Sequence, residues 1–398
     1  MTSIEEALEL VLDGLETLGS ETVPLTAAHG RVAAEPVRSA VDLPPFDRSA
    51  MDGYALRAAD TAPGVALRLA GGVAAGEVAT AVLEPGTAVR ISTGAELPPG
   101  ADAILQSERA TERDGTVAPD GALAVGTHVR ARGEDLREGD VLAAAGDRLT
   151  LPRISALASA GVGTVPVARR PRVAVLVTGS ELLPLGAPPE PGRIHESNGL
   201  MIRLLVAQAG AETAEPATVA DDREATIAAV GDGLGAADVL VVSGGVSVGP
   251  HDHVRPAFEA CGVEEVFWRV NIKPGKPIWF GRRGQQLVFG LPGNPLSTIV
   301  CFAMFIAPAL RRLGGEPGAL PLLERGRLAV AAEAYDGRTT FLTSRLVAAA
   351  DGVLEATPTG RQGSHMTGAL GESDGFAVVP DSPGSLPAGA PVALLRLA

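Results

Sequence analysis

Two lysines stand apart from every other basic residue in this chain. Of the 33 lysines and arginines only Lys273 and Lys276 are lysine, and they share one tetrapeptide, Lys273-Pro274-Gly275-Lys276. If arginine serves wherever charge alone is needed, the surviving pair marks a place that takes a compact ammonium in preference to a planar guanidinium; ordinary drift is the alternative. Two ammonium groups on a loop stiffened by proline and glycine suit a phosphate or a similar oxyanion. Three carboxylates, Glu181, Asp221 and Asp252, follow apolar runs that read as strands. At 4 Å and an effective dielectric near 20, each acid–phosphate pair repels by about 4 kcal/mol. A divalent cation bridging carboxylates and phosphate oxygens offsets that repulsion better than lysine alone, and Mg²⁺ is bound in this way. The pattern reads as Mg²⁺-dependent phosphate chemistry, with the acids as hard-cation ligands rather than a general acid/base pair.

Two glycine-rich loops belong to the same set. SGGVSVGPHD, residues 243–252, carries Ser243, Gly244, Gly245 and Ser247. It is neither a Walker loop nor a dinucleotide fingerprint, yet its paired glycines and serines suit backbone approach to an oxyanion. GLPGNP, residues 290–295, has a shape fixed by Pro292 and Pro295, with Gly293 and Asn294 free to approach a ligand closely. Each loop alone is equally a plain turn. A second constellation lies upstream in DLPPFDRSAMDGYAL, residues 42–56, with Asp47, Ser49 and Asp52. Ile91-Ser92-Thr93-Gly94 and Arg130-Ala131-Arg132-Gly133-Glu134-Asp135 follow it. Arg130 and Arg132 suit bidentate capture of an oxyanion, and equally a solvated basic strand. His251 and His253 flank Asp252 without a third metal ligand in the sequence, and Cys261 and Cys301 sit in apolar surroundings as inert thiols.

The elements that must position these residues follow from periodicity. Ile4, Ala7, Leu8, Val11, Leu12, Leu15 and Leu18 recur at helical spacing, which predicts an amphipathic helix over residues 3–18 ending near Gly19. Residues 40–140 hold short apolar stretches between Gly and Pro and read as a β-rich domain. Beyond it, Leu151–Ala160 looks helical. Residues 171–315 alternate apolar strand runs (Val173–Val177, Val239–Val242, Leu287–Phe289) with helices near 199–209, 224–230 and 296–310. That is a parallel α/β sheet covered on both faces. Ser197 or Asn198, and Asp222, are placed to cap the first two helices. In such a sheet the ligand crevice lies beyond the carboxyl ends of the strands, so Glu181, Asp221 and Asp252 should converge there. The last 80 or so residues return to short strands, as a separate small β-barrel or sandwich.

Composition excludes some partners. The chain has 398 residues and 46% hydrophobic content, enough for two to four packed domains. Its net charge of −14 disfavours a nucleic-acid or anionic-membrane surface. The acidic start lacks the basic region of a signal peptide, and the apolar stretch Ile299–Leu310 is too short to span a bilayer, so a soluble, cytoplasmic protein is expected.

Together the motifs resemble the molybdopterin molybdenumtransferase family, the type that includes bacterial MoeA and the gephyrin E domain. PPFDRSAMDGYAL, RISTGA, RARGED, LVTGSEL, HESNGL, SGGVSVGPHD, IKPGKPIWFG, VFGLPGNPLS and GRQGSH stand in the family's order across nearly the whole chain. The resemblance implies an α/β multidomain fold: a split N-terminal helical/β domain (1–39 and 139–168), an inserted β-rich domain (40–138), a parallel α/β domain of the molybdopterin-binding type (169–315) and a C-terminal β-barrel (316–398). It implies a homodimer whose active site lies between subunits, with transient contact to the molybdopterin adenylyltransferase and to cofactor acceptors. The implied reaction takes adenylylated molybdopterin and molybdate, releases AMP with Mg²⁺, and leaves molybdenum in the dithiolene. Asp52, Thr93, Arg130 and Asp135 fall on functional positions of the second domain. Glu181, Asp221, Asp252, Lys273, Lys276, Pro292 and Pro295 fall on those of the third. Lys273 and Lys276 would hold terminal phosphates, Asp221 and Asp252 would act through Mg²⁺ or the ligand's polar edge, and Ser364 in GRQGSH would border the molybdate end. Arg48, Ser180, Glu196 and Asp374 depart from the commonest family pattern, and Ser180 removes one possible metal ligand. A scaffold without turnover, or a Mg²⁺-dependent nucleotidyl or phosphoryl transferase, are the competing functional classes.

Overall fold

A computed structural model describes residues 1–246, 252–335, 337–382 and 384–397. The chain divides into two compact units, Met1–Glu21 with Ala168–Ala398, and Thr22–Val167.

The larger unit is built on a seven-stranded sheet. Its parallel part joins Arg172–Thr178 to Val239–Ser243 and Val239–Ser243 to Gln286–Leu291, with Glu212–Thr213 and Ala217–Val219 beside the first. These are the apolar runs seen in the sequence, each one to three residues longer, and nearly every residue in them is buried. The sheet then continues antiparallel through Trp279–Arg283 to Glu264–Trp268. Helices Asn198–Gln208, Arg223–Ala236 and Val254–Ala260 are the connections. Asp222 caps the second of them, accepting from the Ala225 N–H at 2.8 Å. The first is capped by Glu196, which accepts from the Gly199 N–H at 2.7 Å, and not by Ser197 or Asn198.

Two expectations change. The N-terminal helix runs only from Ile4 to Leu12, because Gly14 turns the chain with φ +63°. It buries Ile4, Ala7 and Val11 in the α/β core alongside Phe302 and Phe305, whereas the resemblance implied a domain shared with residues 139–168. The apolar stretch near Ile299–Leu310 is part of a continuous helical run, Pro295–Leu313, long and apolar enough by composition to cross a bilayer. It is 83% buried inside the unit, as a core helix is. A π-helical turn over Phe302–Ile306 interrupts it just ahead of Pro308, which lacks the N–H that the α-helical ladder needs.

The C-terminal strands form a closed barrel of five. The order is Thr339–Ala348, Leu354–Pro358, Leu323–Leu328, Pro391–Arg396 and Gly375–Val379, and the last pairs back onto the first. Ile272–Lys273 adds in parallel to Thr339–Thr340.

The smaller unit carries an open six-stranded sheet in the order Ala103–Gln106, Gly53–Leu56, Thr87–Ile91, Leu67–Val73, Thr116–Pro119 and Ala110–Arg113. Helix Leu151–Ser159 and the strand pair Val37–Arg38 with Val141–Ala143 enclose a second small core around Leu149, Leu157 and Val165.

Candidate active site

Register decides where the loops of the α/β sheet begin. Thr178 stands opposite Val219, Val177 opposite Ser243, and Ser243 opposite Leu291. Four strands therefore end level, and their loops enclose a cleft of about 370 Å³. Glu181, Asp221, Asp252, Ser243, Gly244, Gly245, Gly293 and Pro295 line it, so the three acids share one crevice. Ser247 lies outside the described residues. Gly244 has φ +93°, and a Cβ there would lie 2.6 Å from the Thr178 carbonyl oxygen, so this strand end admits only glycine.

Hydrogen bonds fix the walls. The Ser180 N–H donates to Asp221 Oδ2 at 2.9 Å, and the Asp221 N–H donates to Ser180 Oγ at 3.1 Å. Ser180 thus orients the neighbouring carboxylate. The buried Asn198 donates from Nδ2 to Ser243 Oγ at 2.9 Å and to the Gly293 carbonyl at 2.7 Å, joining the serine–glycine loop to GLPGNP. Its role escaped sequence reading, which treated it as a cap. The available signal was scarcity, since the chain has only Asn198, Asn271 and Asn294.

Asp252 is the chemically unusual acid. Both carboxylate oxygens are shielded from solvent and, among the described residues, close no well-formed hydrogen bond. Burial pushes its carboxyl up to about 6; the Val254 N–H and the Arg255 charge pull the other way without cancelling this. Such a carboxylate gains from a proton or a cation. Among the described residues no three acidic, histidine or cysteine side chains stand close enough to encage an ion. The donor set suits Mg²⁺ held by one or two carboxylates, with phosphate oxygens and water completing the shell.

The lysines line a different cleft on the other side of GLPGNP. It measures about 400 Å³ and contains Lys273, Lys276, Pro292, Asn294 and Ser364, together with Ser297, Tyr335, Arg338, Thr340 and Gln362. Asn294 Nδ2 donates to Ser364 Oγ at 3.1 Å, which ties this loop to the barrel. The expectation of one crevice for acids and lysines is thus refined to two, with Gly293 and Pro295 facing the first and Pro292 and Asn294 the second. The physical reason is that Ile272–Lys273 is drawn to the barrel by its pairing with Thr339–Thr340. Among the described residues, no carboxylate lies within ion-pair distance of either lysine.

In the smaller unit Asp52 lines an open cleft of about 510 Å³ with Tyr54, Arg90 and Ser107. Asp52 Oδ1 accepts from the Thr93 N–H at 2.8 Å, so those two expected residues meet. Arg130 and Asp135 are exposed and do not line that cleft. The strand Val129–Arg130 pairs with Arg48–Ser49. Arg132 is taken up by Asp42, and its N–H donates to Asp47 at 2.7 Å, so Arg132 is structural rather than an oxyanion clamp.

Comparison with known proteins now decides the family. Family models match residues 2–161 as the MoeA N-terminal region (domain I and II), residues 174–312 as a probable molybdopterin binding domain, and residues 325–397 as the MoeA C-terminal region (domain IV). A molybdopterin molybdenumtransferase of Haemophilus influenzae is 34% identical, covering 99% of this chain and 98% of its own length. The chain belongs to the molybdopterin molybdenumtransferase family. A Bacillus subtilis molybdopterin molybdenumtransferase is 32% identical over 95% of the chain and 90% of its own. The crystal structure of a molybdopterin biosynthesis MoeA protein from Pyrococcus horikoshii superposes with a TM-score of 0.86 at 33% identity, over 100% of this chain and 99% of that one. This molybdopterin molybdenumtransferase family member is accordingly a transferase of molybdenum-cofactor biosynthesis, with the multidomain architecture expected of it.

Proposed function

We propose that the protein inserts molybdenum from molybdate into adenylylated molybdopterin, with Mg²⁺-dependent release of AMP. One observation carries the reading: the same GLPGNP loop walls an acidic cleft on one side and a lysine cleft on the other. A free oxyanion is matched by ammonium groups directly, whereas a phosphoanhydride shares a carboxylate-lined cleft only with Mg²⁺ between them, and both clefts are within reach of a single loop.

The resemblance gave Lys273 and Lys276 to terminal phosphates, but their separation from the acidic cleft favours molybdate as the anion of the lysine cleft. Lys273 and Lys276 present two ammonium groups that no carboxylate among the described residues compensates, Arg338 adds a guanidinium, and Ser364, held by Asn294, adds a hydroxyl. A tetrahedral dianion matches that set. The acidic cleft suits the pterin's donor edge and the phosphoanhydride. Asn198 holds its walls apart at a fixed spacing, Ser180 aims Asp221, and Asp252 offers a desolvated carboxylate with no well-formed hydrogen bond among the described residues. Mg²⁺ bound there by Asp252 and Asp221 would neutralise phosphate charge as the anhydride opens.

Asp52, Thr93, Arg130 and Asp135 enter through the homodimer that the family pattern implies, in which two subunits complete one active site. Glu181, at the rim of the acidic cleft, serves the same cation. A cytoplasmic location, where molybdate and the adenylylated pterin would meet, goes with this reading.

The test mixes purified protein with adenylylated molybdopterin, Mg²⁺ and molybdate. AMP and active cofactor should appear together, and Asp52→Ala and Lys276→Ala should lose turnover while remaining folded dimers. Wild-type protein that releases no AMP would favour a scaffold. Formation of the adenylylated pterin from ATP, instead of its consumption, would favour a nucleotidyl transferase.

A further inference from the structure

The lysine cleft holds an aromatic ring that the reaction has not yet used. A turn carries Tyr335 and Arg338 and runs directly into the barrel strand Thr339–Ala348. The first two residues of that strand pair in parallel with the lysine strand, Ile272 with Thr339 and Lys273 with Thr340. This pairing folds the turn against Lys273 and brings its Nζ to 2.9 Å from the centroid of the Tyr335 ring. Tyr335 is 41% exposed and lines the same cleft as both lysines, so the ring is part of a wall and not of the core.

A lysine ammonium on a four-carbon stem samples many rotamers, and ordering it weakens any ligand that must do so on binding. A carboxylate partner would order the stem but cancel the charge. An aromatic face attracts the cation through its quadrupole and leaves the charge in place. We propose that Tyr335 is a positioning residue of the oxyanion cleft: its ring face holds the Lys273 ammonium, already ordered and still cationic, where a tetrahedral dianion meets it. The inference rests on the reading of this cleft as the oxyanion site. It predicts dependence on the ring and not on the phenol hydroxyl.

The test is calorimetric titration of the full-length protein with molybdate at low ionic strength. Tyr335→Phe should bind within twofold of wild type, and Tyr335→Leu should bind five- to tenfold more weakly. Lys273→Met should weaken binding at least as far, and adding Tyr335→Leu to it should change nothing further, since the ring acts only through that ammonium. Three results overturn the proposal: Tyr335→Leu equal to wild type, Tyr335→Phe falling as far as Tyr335→Leu, or the Tyr335→Leu loss persisting undiminished in the Lys273→Met background. If wild type and Lys273→Met both fail to take up molybdate, the oxyanion reading falls and this inference with it. If Lys273→Met weakens binding and Tyr335→Leu does not, only the role of Tyr335 falls.

Discussion

Asn198 and Gly293 are joined by a side-chain-to-backbone hydrogen bond of 2.7 Å, and the second amide hydrogen of Asn198 reaches Ser243 at 2.9 Å. One buried side chain therefore sets the distance between two loops that start from different strands. Asn198→Ala leaves the buried Ser243 hydroxyl without this donor and frees the Gly293 carbonyl, which costs about 1–3 kcal/mol. Chemical denaturation should show a loss of that size, and AMP release should slow by at least tenfold because the acidic cleft loses its fixed width. Full activity in a destabilised Asn198→Ala would separate the strut from the reaction.

Asp252 predicts a trade between stability and function. Its folded-state pKa is raised to about 6 from an ordinary value near 3.8. The ionised form is the one penalised, so the penalty grows as pH rises from about 4 to about 6 and is complete above that. The full shift corresponds to roughly 3 kcal/mol, and solvent screening of a half-buried group reduces it to about 1–2. Asp252→Asn should therefore unfold at a higher temperature than wild type at pH 8, with the gap closing below pH 4. The same variant should lose turnover. A melting temperature independent of the substitution at pH 8 would contradict the desolvation of that charge.

Gly244 and Gly352 both have positive φ, at +93° and +81°. A Cβ on Gly352 would meet nothing within 4 Å, whereas one on Gly244 would strike the Thr178 carbonyl at 2.6 Å. Gly352→Ala should cost about 1 kcal/mol of backbone strain. Gly244→Ala should cost more than 2 kcal/mol, since backbone must move as well. Comparable unfolding free energies for the two would show that the strand end is softer than its geometry indicates.

Asp238 sits at the start of the central strand and is held by Arg169 through bonds of 2.9 and 3.1 Å and by the Arg172 N–H at 2.8 Å. Burial alone would raise its pKa, but these bonds and the two guanidinium charges outweigh burial and hold it below the usual carboxylate range. A depressed pKa stabilises the fold above the unfolded value and ceases to do so as pH falls through the folded one. Asp238→Asn should lose about 1–3 kcal/mol at pH 7. That difference should shrink below about pH 4, as protonation of wild type reproduces the substitution. A difference constant from pH 7 to pH 3 would assign the loss to shape and not to charge.

The α/β strands were legible because residues covered on both faces read as unbroken apolar runs, and level strand ends then brought Glu181, Asp221 and Asp252 to one cleft. The extent of the first helix was not, since Leu15 and Leu18 keep the apolar period while Gly14 has already turned the backbone. The split between acidic and lysine clefts was also hidden. It depends on Lys273 pairing with Thr340, a contact between segments distant in sequence with no local pattern to announce it. Tyr335, Arg338 and Gln362 were missed for the same reason: each comes from a barrel turn whose residues look like ordinary surface. Arg132 shows the converse, an arginine whose pattern suggested a ligand and whose charge is met by Asp42.

The ratio of AMP released to molybdenum incorporated bears most directly on one loop serving both clefts in a single reaction. It is obtained by following nucleotide and protein-free cofactor in one quenched time course, with and without molybdate. One AMP per molybdenum, with both products falling together in Asp252→Asn and in Lys276→Ala, is the expected result. AMP released at an undiminished rate without molybdate, or molybdenum incorporated without AMP, would contradict it.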